Sequence, residues 1–359
     1  MRGRVHTRPS RKPRVAPTSE HRPLIDEAAA LRAAALVAPA RRADPELVAA
    51  LRDDVRDDLP RIDAAARRWS QLGADLPPTT VRVVGRTGWV RANLAALQGA
   101  FEPLRERLER RRSAPVVLGT QVGALLGLLS TKVLGQYVLP LAGPGHGQLL
   151  VVGPNVLDLG EEFGELAVDI RRTVVLHEVT HRLQFDAAPW LGDHLRGLLE
   201  RYLAHARLDP AVLFEAAPRL PQAVAAVRER GEIEPLLDVV LSGEQADVIR
   251  EAQGLMSLLE GHGTTAMYEA AEPELIRDTD GVRAALASRQ GDVTSKVLTA
   301  VAGMEMKRRQ YREGEAFVRA VIERDGVAGL NRAFSGPDRL PSAAEVRDPE
   351  AWLARVAAN

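Results

Sequence analysis

The chain has 359 residues, balances 48 basic against 48 acidic side chains, and contains no cysteine. Zero formal charge removes any global electrostatic reason to expect a nucleic-acid or anionic-membrane partner. The missing cysteines exclude disulfides and thiolate metal sites, so a metal would have to be held by His, Asp or Glu.

Residues 1–22 are rich in Arg and Pro and poor in apolar side chains, which predicts a disordered basic tail. Residues 23–359 are long enough for one domain, or for two lobes around a cleft. No N-terminal stretch has the basic, apolar, small-residue order of a secretory signal, so the expected location is cytoplasmic. Helical periodicity starts at Leu24 and Ile25 and continues through Leu36. Pro45 opens a second amphipathic run to Trp69, with a kink or break expected at Pro60. A third helix is read from Gly88 to Arg112, interrupted at Pro103. Pro115 to Leu141 is the most apolar stretch. Gly119, Gly123 and Gly127 recur every four residues there, marking one helical face for close approach of another backbone. Lys132 ends the uncharged run, so a buried core helix is the reading rather than a membrane span.

Turn residues at Gly143-Pro144-Gly145 and Gly147 precede the clearest strand, Leu149 to Val152, which Gly153-Pro154 closes. Helices then resume at Glu165–Phe185, Leu191–Ala206, Gln222–Arg230, Gly243–Tyr268 and Met304–Glu323, with a short helical segment between Pro341 and Val356. The fold class expected is mainly α with at most a small β element.

One segment carries the chemistry: His177-Glu178-Val179-Thr180-His181, inside an apolar helical stretch. Residues four apart on a helix share a face, so the two imidazoles can grip one cation. Glu178, beside them, can take a proton from a water that the cation activates without ligating the metal itself. Catalytic zinc usually has three protein donors, and Glu260 in Leu258-Leu259-Glu260-Gly261-His262 is the best third ligand. A carboxylate amid apolar neighbours needs such a partner, unless it merely ends a helix in solvent. His262 competes as ligand, or donates to a developing oxyanion as a second catalytic residue. His194 and His205 read as surface residues. Asp186 and Asp193 are candidates to accept from the ligand histidines.

With these residues in view, the sequence resembles a bacterial family of zincin-like hydrolases, labelled as associated with deazaflavin-coenzyme biosynthesis. The likeness runs over most of the chain from Leu24. It includes Trp89-Val90-Arg91-Ala92-Asn93, Leu134-Gly135-Gln136-Tyr137, Val152-Gly153-Pro154-Asn155, the His177 motif with Gln184-Phe185, and Pro189-Trp190-Leu191. Glu260 through Gly263, Lys307 through Tyr311, Gly314, Phe317, Leu340-Pro341 and Trp352-Leu353 extend it. The family is similar to gluzincin peptidases, whose third ligand is a glutamate on a later helix; the resemblance implies that role for Glu260. Arg182 departs from the general metalloprotease pattern, which has an uncharged residue after the second histidine.

The expected activity is that of a zinc-dependent metallopeptidase or amidase acting on a peptide-like substrate, with Zn2+ on His177, His181 and Glu260, and Glu178 as general base. Lys307 to Tyr311 read as a charged outer helix face with Tyr311 packed inward; the functional alternative sets Tyr311 or Arg308 near the cleft as an electrophilic group. The alternatives are a catalytically silent metal-binding scaffold and a protein anchored in a membrane by the Gly119–Gly127 helix.

Overall fold

The computed structural model describes residues 23–38, 44–101, 114–139, 147–205, 243–293 and 303–358, with residues 105 and 141; side chains of 289–293 and 303–311 are outside the description. Among these residues the first helices are α1 (Glu27–Val37), α2 (Pro45–Ser70), α3 (Arg86–Ala100) and α4 (Ala114–Ser130). They are followed by α5 (Gly153–Phe163), α6 (Leu166–Ala187), α7 (Trp190–Ala204) and α8 (Gly243–Glu269). The last are α9 (Thr279–Val293), α10 (Gly303–Asn331) and α11 (Pro349–Ala358). Starts follow the capping rules where polar caps exist. Asp26 accepts from Ala29 N at 2.7 Å to begin α1, and Asp44 caps α2 with Pro45 in its first turn. The α2 span continues through Pro60 rather than breaking there.

Three short strands form one sheet in the order β1 (Val81–Val84), β3 (Gln148–Val152), β2 (Gly135–Val138). β1 runs parallel to β3 with Val81 opposite Leu149, and β2 runs antiparallel with Gly135 opposite Val151. Central β3 is buried on both faces. Leu149 and Val151 pack into a core built around α2 and α6, whereas Leu150 and Val152 pack into one formed with α1, α3 and α4. Burial on both sides explains why this strand reads as an unbroken apolar run. A third apolar cluster joins α7, α8, α10 and α11 around Phe317 and Trp352.

α4 meets α1 along the glycine face. A Cβ on Gly123 would lie 2.1 Å from Ala30 O, and one on Gly119 would lie 2.5 Å from Asp26 O. The Gly123→Ala variant therefore carries two opposed effects. Helix propensity favours alanine by about 1 kcal/mol, and overpacking against an immovable carbonyl costs about 1–3 kcal/mol. With backbone as the obstacle the second effect wins, and urea unfolding should give a lower midpoint. A raised midpoint would mean that the two helices do not touch there. The outer face of α4 is not buried as the core-helix reading expected: Val116, Val117 and Leu125 are exposed. No described helix is long and apolar enough to cross a membrane.

Strands β1 and β2 and helices α5 and α9 differ from the sequence reading, which assigns no element to β1 or α9. Gly153-Pro154 does not simply close β3: it opens α5, with Pro154 in the first turn. The apolar stretch expected to run as helix to Leu141 breaks after Ser130 and returns as β2. The α10 span reaches Asn331 but turns at Gly326, where φ is 68°. The expected tail 1–22, the run to Arg112 with Pro103, the Gly143-Pro144-Gly145 turn and the helix Gln222–Arg230 lie outside the described residues.

Candidate metal centre

The motif lies near the middle of α6, a helix buried on almost every side. Ile170, Leu176, Val179 and Leu183 are fully buried. Its buried threonines satisfy their hydroxyls by donating one turn back, Thr173 to Asp169 O at 2.7 Å and Thr180 to Leu176 O at 2.9 Å. Asp169, in the first turn, accepts from Arg277 N and Asp278 N and so ties α6 to the segment leading into α9. The result is a rigid rod on which side chains four apart stay stacked.

His177 and His181 project from one face of that rod, with their Nε2 atoms 3.0 Å apart. Glu260 arrives from α8: its Oε2 is 3.5 Å from His177 Nε2 and 3.7 Å from His181 Nε2. One donor atom from each of these residues lies within 4.8 Å of the others. The close approach of α8 depends on small residues. A Cβ on Gly263 would stand 2.8 Å from His177 Cε1, and Gly261 faces Gly314 of α10 at similarly short range. Burial disfavours charge on both partners. It is outweighed at Glu260 by the two imidazoles, which hold its carboxyl well below the ordinary range. For His181 it is outweighed by Glu260, then Glu178 and Gln184, so that the pKa is raised to about 9.

Glu178, the residue after His177 on α6, is tied to the small sheet. Its Oε2 accepts from Tyr137 N, on edge strand β2, at 2.8 Å. Gly135 makes room for it, since a Cβ there would lie 2.9 Å from Glu178 Cγ. Tyr137 is itself fixed. Its hydroxyl donates to Asp186 at 2.7 Å and accepts from Gly147 N, and burial together with Asp186 raises the phenol above its usual range. Asp186 in turn receives Arg182 Nε at 3.0 Å. Arg182, the departure from the metalloprotease pattern, points away from the cluster into a buried pocket. There it also donates to Thr79 Oγ1 and Pro77 O, with Asp63 at 3.8 Å.

Gln184, three residues after His181, bonds His181 Nδ1 at 2.8 Å, His262 Nδ1 at 2.8 Å and Leu259 O at 3.0 Å. His262 is fully buried, with its ring between Trp69 and Phe334 at centroid distances of 5.0 and 5.4 Å. Burial, with His181 nearby, pushes its pKa down to about 3. This placement corrects the expectation of His262 as a ligand or oxyanion donor. One nitrogen is engaged by Gln184, and no edge of the ring reaches a solvent-facing space. Asp186 and Asp193 do not accept from the paired histidines, for Asp186 serves Tyr137 and Arg182, and Asp193 pairs with Arg196. His194 is largely buried beside Trp190 and 3.4 Å from Glu251, not on the surface; His205 is exposed. Arg308 and Tyr311 fall on α10, with side chains outside the description.

The family model described as zincin-like metallopeptidase matches residues 25–353. The chain belongs to that family. A solved structure from Chloroflexus aurantiacus, provisionally described as a hydrolase with a novel fold, is similar to this zincin-like chain. The two share 29% identity and a TM-score of 0.68, with 93% of this chain and 99% of that one covered. A comparison with curated proteins gives no match.

Membership of the zincin-like family implies a metal, typically zinc. The residues present fit one. Glu260 Oε2 is buried without a hydrogen-bond partner among the described residues, and it converges with two imidazole nitrogens. Two nitrogens and one carboxylate oxygen form the donor set of catalytic zinc sites, with a position left open. Sequence reasoning assigns no site role to Gln184, Tyr137, Gly135 or Gly263. The signal that could have found Gln184 is its spacing: three residues beyond His181, it lies on the same helical face.

Proposed function

We propose that this zincin-like protein is a zinc-dependent hydrolase of peptide or amide bonds, with His177, His181 and Glu260 as ligands and Glu178 as general base. The observation carrying this reading is the convergence of those three donors, from α6 and α8, within 4.8 Å. A zinc ion held there supplies Lewis-acid activation of water and of a substrate carbonyl. The chain's own groups do the rest. Tyr137 N orients the Glu178 carboxylate beside the cation site, where it takes the proton from the attacking water and passes it to the leaving nitrogen. Gly263 and Gly135 keep the histidines and Glu178 free of steric interference.

The scaffold alternative has one observation on its side: the side chains of His177, His181 and Glu260 are only 12–14% exposed. Metal analysis and a peptide-library cleavage screen address the two readings in turn. Purified protein should carry about one zinc per chain, and His181→Ala should lose it. Full occupancy in that variant would refute ligation, whereas bound zinc with no cleavage of any amide would favour the scaffold.

A further inference from the structure

We propose that Gln184 and His262 are positioning residues that keep a proton on His181 Nδ1 and so reserve Nε2 for a metal, with His262 acting only through Gln184. The inference rests on the ligand assignment above.

Its starting point is Leu259 O. A main-chain carbonyl accepts and never donates, so the group facing it must be the Gln184 amide nitrogen, at 3.0 Å. That choice removes the flip ambiguity of the side chain. The amide oxygen is then the atom turned to His181 Nδ1 at 2.8 Å, and an oxygen there requires a proton on Nδ1. In the neutral ring the lone pair then falls to Nε2, the atom that faces His177 and Glu260. The second N–H of the amide reaches His262 Nδ1 at 2.8 Å, so that nitrogen must be an acceptor. His262 therefore carries its proton on Nε2, a buried atom with no hydrogen-bond partner among the described residues.

One amide, whose direction a backbone carbonyl decides, thus favours opposite tautomers in the neutral forms of the two histidines. Without the acceptor at His262, one amide N–H is buried unpaired, which weakens the preference for this orientation. His262 also has a plain packing role between Trp69 and Phe334, and the test must separate the two.

Zinc alone is the probe, with affinity read by competition against a chelator. Gln184→Leu should weaken binding about 10- to 100-fold, the range for losing an outer partner of a ligand histidine. His262→Phe keeps an aromatic ring in the sandwich but removes the acceptor, and should weaken binding about tenfold. His262→Asn packs worse yet offers an oxygen where Nδ1 stood, and should stay closer to wild type. A purely packing role gives the reverse order, and that order, or His262→Phe at full affinity, overturns the proposal.

Long-range 15N–1H spectra of histidine-labelled wild-type protein need no variant to fold. A neutral His262 with its proton on Nε2 supports the arrangement, and a proton on Nδ1 overturns it. Failure of wild-type protein to bind zinc would remove the metallohydrolase reading instead, because the His262 tautomer is read equally well in metal-free protein.

Discussion

Glu178→Gln should retain about one zinc per chain and lose hydrolysis by about 100- to 10,000-fold. The substitution is nearly isosteric, and its amide oxygen can still accept from Tyr137 N, so the Gly135 contact and the α6–β2 junction survive. What disappears is the basic oxygen. Zinc content by elemental analysis, together with cleavage rates on whichever peptide the library screen selects, reads the two properties separately. Equal rates for variant and wild type would remove Glu178 as the base, and loss of zinc would make it part of the cation's support.

Arg182→Met should lower unfolding stability by about 3–5 kcal/mol, the cost of stranding one partner of a buried ion pair. The side chains of Arg182 and Asp186 are only 8% and 9% exposed, so solvent cannot replace the lost guanidinium. Thr79 Oγ1 and Pro77 O lose a donor at the same time. Denaturant unfolding checks the magnitude. Adding Asp186→Asn should recover part of the loss, because the stranded charge goes with it. A change below about 1 kcal/mol would put this pair in the class of exposed ion pairs and undo the account of Arg182 as the anchor of Tyr137.

That anchor answers a question raised by the primary structure. A charge directly after the second histidine looked out of place for a metalloprotease helix. One residue further along α6 means a rotation of about 100°, which carries Arg182 off the histidine face and into a pocket made by α2 and the segment before β1. Sequence spacing alone could place Arg182 on another face but could not supply its partners, because Asp63, Pro77 and Thr79 are brought there only by the packing of α2 on α6. His262 follows the same logic in reverse. Two residues from Glu260 in the chain, on a helix it is rotated by about 200°, so its ring packs between Trp69 and Phe334 and meets His181 only through Gln184.

Strands were legible only where both faces are buried. Leu149 to Val152 stands out because an unbroken apolar run needs cover on each side, and the two cores provide it. Gly135 to Val138 carries no such pattern: its glycine and glutamine are spent on making room for Glu178 and on pairing with Asn93. Its strand character comes from β3 beside it, which is a tertiary cause.

By itself, then, the order of residues determined the helical character, the stacking of His177 over His181, and the need for a third donor, carboxylate or imidazole, in a chain with no thiol. These are local consequences of a 3.6-residue period and of side-chain chemistry. Only the tertiary structure decided that Glu260 completes the cluster, that Tyr137 orients Glu178, and that Gln184 joins His181 to His262. Each of those contacts spans separate elements, and distance along the chain says nothing about distance in space until the glycine crossings let the helices close.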